Sequence, residues 1–172
     1  MTPNVHDRIS SMQRTLMDIV LPAIPPEQGM AVEQVQLVIG HLAVLGEQFD
    51  LVHLFERAEC RQLEELAAAL LSVVDGGQNS MAAAQALQGV LSAGVDGEAR
   101  NVREHIVALS RGIEQLVEAS GVDGSARFIA ASTDLILRSN EITSQCNRSF
   151  FRSMGFERGD VDLPPVRDLI GG

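Results

Sequence analysis

Apolar residues recur at helical spacing along nearly the whole chain, and that periodicity predicts an all-helical protein. The first stripe is Val5, Ile9, Met12, Leu16, Ile19 and Val20, whose steps of four, three, four, three and one keep one face inward. Thr2 is placed to cap this helix and Pro3 to occupy its first position. Pro22, Pro25 and Pro26 break it, with Ile24 expected to plug the loop into the core. The next segment, Glu27 to Val74, carries Val35, Val38, Leu42, Leu45, Phe49, Val52 and Phe55, then Leu63, Leu66, Ala67, Leu70 and Val74. Leu37, Val44 and Leu51 widen its first half, which predicts neighbours on two sides. No proline interrupts it, so one continuous or gently bent helix is expected, about 70 Å long at 1.5 Å per residue.

Glycines divide the rest. Asp75-Gly76-Gly77 is one break, and Gly94-Val95-Asp96-Gly97-Glu98-Ala99-Arg100 recurs as Gly121-Val122-Asp123-Gly124-Ser125-Ala126-Arg127. Each copy reads as a helix stop followed at once by a helix start. Gly94 and Gly121 suit the left-handed residue after a helix end, and Asp96 and Asp123 suit the cap of the next helix. Schellman turns there would bring Val95 to Val90 and Val122 to Val117. The helices so delimited are Ser80 to Ala93, Glu98 to Ser120 and Gly124 to Met154. Their inward seams are Ala84, Leu87, Val90 and Leu91, then Val102, Ile106, Leu109, Ile113 and Leu116. The last helix has its first apolar residues at Phe128 and Ile129 and continues through Leu135, Ile142, Cys146 and Phe150, with the cations Arg148 and Arg152 in its last turns.

The expected architecture is an up-and-down helical bundle of four to five helices in a single domain, residues 1–172, with the first helix antiparallel to the start of the long one. Residues 154–172 read as a non-helical tail. Its Val161, Leu163, Val166, Leu169 and Ile170 surround Pro164-Pro165 and are too apolar for a solvated end.

Composition narrows the chemistry. The 172 residues carry a net charge of −10 and contain no lysine, tryptophan or tyrosine, so all 13 cations are arginines. Without lysine there is no Schiff-base chemistry and no P-loop lysine. Residues 16–99 hold twelve acids against Arg57 and Arg61, while the remainder is balanced. This argues against nucleic acid and offers either a solvated face or an acidic docking face for a partner protein. The two cysteines, Cys60 and Cys146, fall among apolar neighbours and read as buried thiols, which fits a reducing cytoplasm. No uninterrupted apolar run approaches the ~20 residues of a membrane span, so no membrane association is expected.

Three constellations could carry function. Asp50-x-x-His53-x-x-Glu56 places three metal-ligand types at helical spacing, with Glu47 one turn earlier. His41, followed by Leu42-Ala43-Val44-Leu45-Gly46, and His105, near Arg103 and Arg111, are candidates for histidine phosphotransfer. No nucleophile arrangement and no cofactor motif stands out. The wide apolar face of residues 35–55 points to a homodimer.

The N-terminal third, Leu16-x-x-Ile19-Val20-Leu21-Pro22-Ala23-Ile24 followed by Glu33-Gln34-x-x-Leu37-Val38, resembles a group of small uncharacterised bacterial helical proteins. Members accompany aminoglycoside-phosphotransferase-like and acyl-CoA-dehydrogenase-like enzymes. The resemblance implies a bacterial origin and an accessory role, and brings no functional residue with it. The leading expectation is therefore a non-catalytic helical interaction or accessory protein, with phosphotransfer and metal binding as alternatives.

Overall fold

The computed structural model of the chain describes residues 4–95, 99–152 and 161–171. The protein is all-α: no strand forms among the described residues, and one isolated bridge pairs Gly76 with Gly124. The helices are α1 Val5–Thr15, α2 Leu21–Ala23, α3 Gly29–Gln48, α4 Val52–Val73, α5 Gln78–Ala93, α6 Ala99–Asp123, α7 Ala126–Phe150 and α8 Val166–Ile170. They divide into two compact units: Met1–Val52 with Arg148–Pro164, and His53–Asn147 with Pro165–Gly172.

In the first unit α1 is capped by Asn4, whose side chain accepts the Asp7 N–H at 2.8 Å, while Asp7 returns the bond to the Asn4 N–H at 3.4 Å. The expected cap, Thr2 with Pro3, lies outside the described residues. Between α1 and α2 the helix widens into a π turn, Leu16–Val20, in which the Leu21 N–H reaches back five residues to the Leu16 carbonyl. Pro22 explains the position. It lacks an N–H, and its ring would collide with the carbonyl four residues back in an ordinary helix. The extra residue shifts the phase of the apolar stripe. Ile9 is buried, whereas Ile19 is 65% exposed.

α3 lies antiparallel to α1, as expected. Ile9 faces Gly46, Gln13 donates to the Ile39 carbonyl, and His6 meets Phe49 and Asp50. The long helix, however, is two helices, because Phe49–Leu51 form a turn. No proline signals it; tertiary bonds hold it. The Leu51 N–H closes a tight turn on the Gln48 carbonyl at 2.8 Å, and Leu51 is buried. The Gln48 side chain donates to the Phe150 carbonyl at 2.9 Å, and His6 binds Asp50 at 3.0 Å.

The second unit has an apolar core of Leu66, Ala67, Leu70, Ala84, Leu87, Leu109, Ile113, Leu116 and Phe128. The seams expected for α5 and α6 supply most of it. The second glycine repeat behaves differently from expectation. α6 runs through Gly121 to Asp123, so Gly121 is helical and Val122 is 75% exposed. The break falls at Gly124-Ser125, and the Ser125 hydroxyl, not Asp123, caps α7 by accepting the Phe128 N–H at 3.1 Å. Asp123 turns back to α5 instead. Its carboxylate accepts the N–H groups of Asn79 (2.7 Å) and Ser80 (3.0 Å) and the Ser80 hydroxyl (2.6 Å). Two backbone bonds close the same junction, Gly77 N–H to the Asp123 carbonyl and Ser125 N–H to the Asp75 carbonyl. The chains approach so closely that a Cβ on Gly76 would lie 2.9 Å from the Gly124 Cα. In the first repeat Gly94 has the positive φ expected of it, 61°, but its ψ of −167° is extended rather than that of a Schellman turn, and Asp96 lies outside the described residues.

The tail also departs from expectation. Pro165 fixes the backbone ahead of α8, and the Asp168 N–H bonds the Pro165 carbonyl, so Val166–Ile170 are helical rather than extended. Leu163 and Ile170 are buried, and Ile170 sits beside Phe55, Ala58 and Cys146.

Candidate functional site

The expected ligand triplet separates by partner. Asp50 stands in the turn before α4 and is exposed, with its carboxylate on His6. His53 is exposed near the start of α4. Glu56 is buried and pairs with Arg103 of α6. His41 is exposed on α3, whereas His105 is 7% exposed.

The residues that do converge lie one and two turns further along α4. Cys60 and Glu64 are four apart and share a helix face. Glu64 Oε1 accepts from the Cys60 thiol at 3.8 Å and lies 3.2 Å from His105 Nε2 of α6. The donor atoms of Cys60, Glu64 and His105 all lie within 4.8 Å of one another. Cys60 and His105 are buried and Glu64 half-buried. Burial pushes the Cys60 thiol up to about 11, helped by the Glu64 carboxylate and opposed by Arg57. A thiol so held stays protonated near neutrality unless a metal ion displaces the proton. At the residue before Cys60, burial raises the Glu59 carboxyl, Arg103 lowers it and Glu56 adds to the rise.

α4 therefore has two characters. Its C-terminal half meets the apolar core through Leu66, Ala67 and Leu70, while its N-terminal half turns Glu56, Glu59, Cys60 and Glu64 toward the charged end of α6. This changes the picture of the acidic stretch. Two of its acids face neighbours in the same unit: Glu56 is buried against Arg103, and Glu64, half-buried, lies on His105. In the sequence the three-residue spacing of Asp50, His53 and Glu56 is the conspicuous one. The four-residue spacing of Cys60 and Glu64 is the signal for the observed cluster; nothing in the sequence pairs them with His105, 41 residues beyond Glu64.

A second feature lies in the first unit. None of the 20 residues of α3 is buried. Ala31, Val32, Val35, Ile39, Leu42 and Gly46 are half-buried on one face. Met30, Gln34, Leu37, Val38, His41 and Leu45 occupy the adjoining arc of about 100° on a 3.6-residue helix, and Phe49 follows in the turn. There Leu37 is 53% exposed, Val38 47% and Leu45 47%. Read as a whole helix, α3 reaches the length and mean hydropathy of a membrane span, although Glu33, Gln34, Gln36, His41 and Glu47 interrupt any continuous apolar run.

Comparison with known proteins returns nothing to set beside these sites: no family model, no curated protein and no solved structure matches the chain.

Proposed function

We propose that this chain is a non-catalytic helical interaction protein that assembles with a second copy of itself through the exposed apolar arc of α3. The observation that carries this reading is a 20-residue apolar helix with no buried residue. A helix apolar around most of its circumference belongs in an interior. α1 and α3 form an antiparallel hairpin, which buries one face of α3 and leaves Met30, Leu37, Val38 and Leu45 outside. Two such hairpins related by a twofold axis make a four-helix bundle, and this supplies the missing interior. Within this reading the bundle of four to five helices belongs to the assembled protein. The bacterial accessory role implied by the N-terminal resemblance accords with it, as does a cytoplasmic setting.

Burying the exposed half of a leucine contributes about 1 kcal/mol, and each position counts twice in a symmetric dimer. The double variant Leu37→Asp/Leu45→Asp is therefore expected to shift sedimentation from dimer to monomer with an unchanged helical circular-dichroism spectrum. A wild-type chain that sediments as a monomer at tens of micromolar would sink the proposal. If that monomer also floats with phosphatidylcholine vesicles, the arc serves a membrane instead.

A further inference from the structure

We propose that Cys60, Glu64 and His105 form a binding site for a borderline-soft divalent cation of the zinc class, with water as the fourth ligand. This inference is independent of self-assembly, since all three residues lie in the second unit.

Geometry carries it. With Zn–S near 2.3 Å and Zn–N and Zn–O near 2.0–2.1 Å, a tetrahedral ion sets its sulfur about 3.5 Å from each lighter donor, and nitrogen about 3.3 Å from oxygen. The Cys60 sulfur stands 3.8 Å from Glu64 Oε1, and His105 Nε2 stands 3.2 Å from the same oxygen. Two of the three edges of the ligand triangle are thus within a few tenths of an ångström of the required values. The third, sulfur to nitrogen, lies within the 4.8 Å that encloses all three atoms. Closing it takes a side-chain adjustment of at most about 1.3 Å. The four-residue spacing on α4 aims two donors at one point, and α6 supplies the third, so an ion would pin two helices of one unit together.

The donor set selects the ion. Thiolate and imidazole favour zinc and its neighbours over magnesium or calcium, which take all-oxygen shells. Three protein ligands leave one position for water. Glu64 keeps 33% of its side chain exposed, which leaves the cluster open to solvent on that side. On binding, the sulfur–metal bond forms as the thiol proton leaves to solvent; nothing is oxidised or reduced.

Without an ion the same three groups satisfy one another as a thiol–carboxylate–imidazole hydrogen-bond chain, and experiment separates the two cases. The full chain, purified and stripped with chelator, is dialysed against Zn²⁺ and, in parallel, titrated with Co²⁺. One zinc per chain is expected, together with a thiolate-to-cobalt charge-transfer band. Cys60→Ser and His105→Ala should each weaken zinc binding more than tenfold, while His53→Ala, one turn before Glu56 and exposed, leaves it unchanged. Absence of stoichiometric zinc, or cobalt binding without the thiolate band in the wild-type chain, overturns the proposal whether or not the variants fold. Equal zinc affinity in folded Cys60→Ser and wild type overturns it as well.

Discussion

Two glycines in the α5–α6 hairpin should respond to the same substitution with opposite signs. Gly89 on α5 has nothing within 4 Å of the place a Cβ would take. Gly89→Ala therefore collects the full difference in helix propensity, about 1 kcal/mol of stabilisation. Gly112 on α6 gains the same propensity but meets Leu87. The new Cβ would stand 2.8 Å from Leu87 Cδ1, with the Leu87 Cα and Cβ at 3.6 Å. Carbon atoms rest about 3.5–4.0 Å apart, so the backbone contacts are comfortable and only the δ-methyl is in the way. Leu87 is fully buried in the core, so its δ-methyl can yield only against packed neighbours. Overpacking of this kind costs about 1–3 kcal/mol, which cancels or exceeds the propensity gain. The expected net is zero to about 2 kcal/mol of destabilisation, so the two variants should differ by about 1–3 kcal/mol. For a chain of this size that is a separation of several degrees in melting temperature, at about 2–4 °C per kcal/mol. Thermal and urea unfolding followed by circular dichroism would measure it. Leu87→Val, which removes the obstructing methyl, should relieve part of the Gly112→Ala penalty in a double-mutant cycle, with coupling of about 1 kcal/mol. If Gly112→Ala stabilises as much as Gly89→Ala, then α5 and α6 do not approach at that point and the reasoning fails.

Other expectations rest on polar groups. The Ser80 hydroxyl, with the backbone N–H groups of Asn79 and Ser80, holds the Asp123 carboxyl below its usual 3.8. A depressed folded value stabilises the fold above the unfolded value and is lost as pH falls through the folded one. Melting temperature should therefore fall on acidification below about pH 4, and Asp123→Asn should flatten that part of the profile. A variant profile identical to wild type would count against the cap. Arg103→Ala leaves the buried Glu56 carboxylate without its cation; because Arg103 is largely exposed, a loss of about 1–3 kcal/mol is expected in denaturant melts rather than the larger cost of a fully buried pair. Glu56→Leu, which removes the charge that needs a partner, should cost less, and the reverse order would refute this account.

The parts of the fold legible in the sequence are those set by local periodicity. Of the α6 seam Val102, Leu109, Ile113 and Leu116 are buried and Ile106 is half-buried; of the α5 seam Ala84 and Leu87 are buried and Val90 and Leu91 half-buried. What periodicity misses is set by partners distant in sequence. The turn at Phe49–Leu51 has no breaker residue; it depends on His6 and on the Phe150 carbonyl. Asp123 looks like the cap of the helix that follows it, yet caps one that begins 45 residues earlier, because Gly76 lets that chain come close. The π turn before Pro22 moves Ile19 off the buried face by inserting one residue into the count. The candidate metal ligands were half visible. Cys60 and Glu64 share a face by spacing alone, but His105 joins them only through the packing of α6 on α4.

The junction of Asp75–Gly77 with Asp123–Ser125 has a mechanical consequence. The strand of chain leaving α4 and the strand entering α7 are linked by the Ser125 N–H to Asp75 carbonyl bond at 3.0 Å. Tension applied through α4 and α7 would cross at that clasp and bypass everything between. α5 and α6 form a loop sealed at its neck by the Asp123 carboxylate and by glycines too close to admit a side chain. Length changes at the other end of that loop, at Gly94–Val95, leave the load path untouched. Insertions there would be borne more easily than a single methyl group at Gly76.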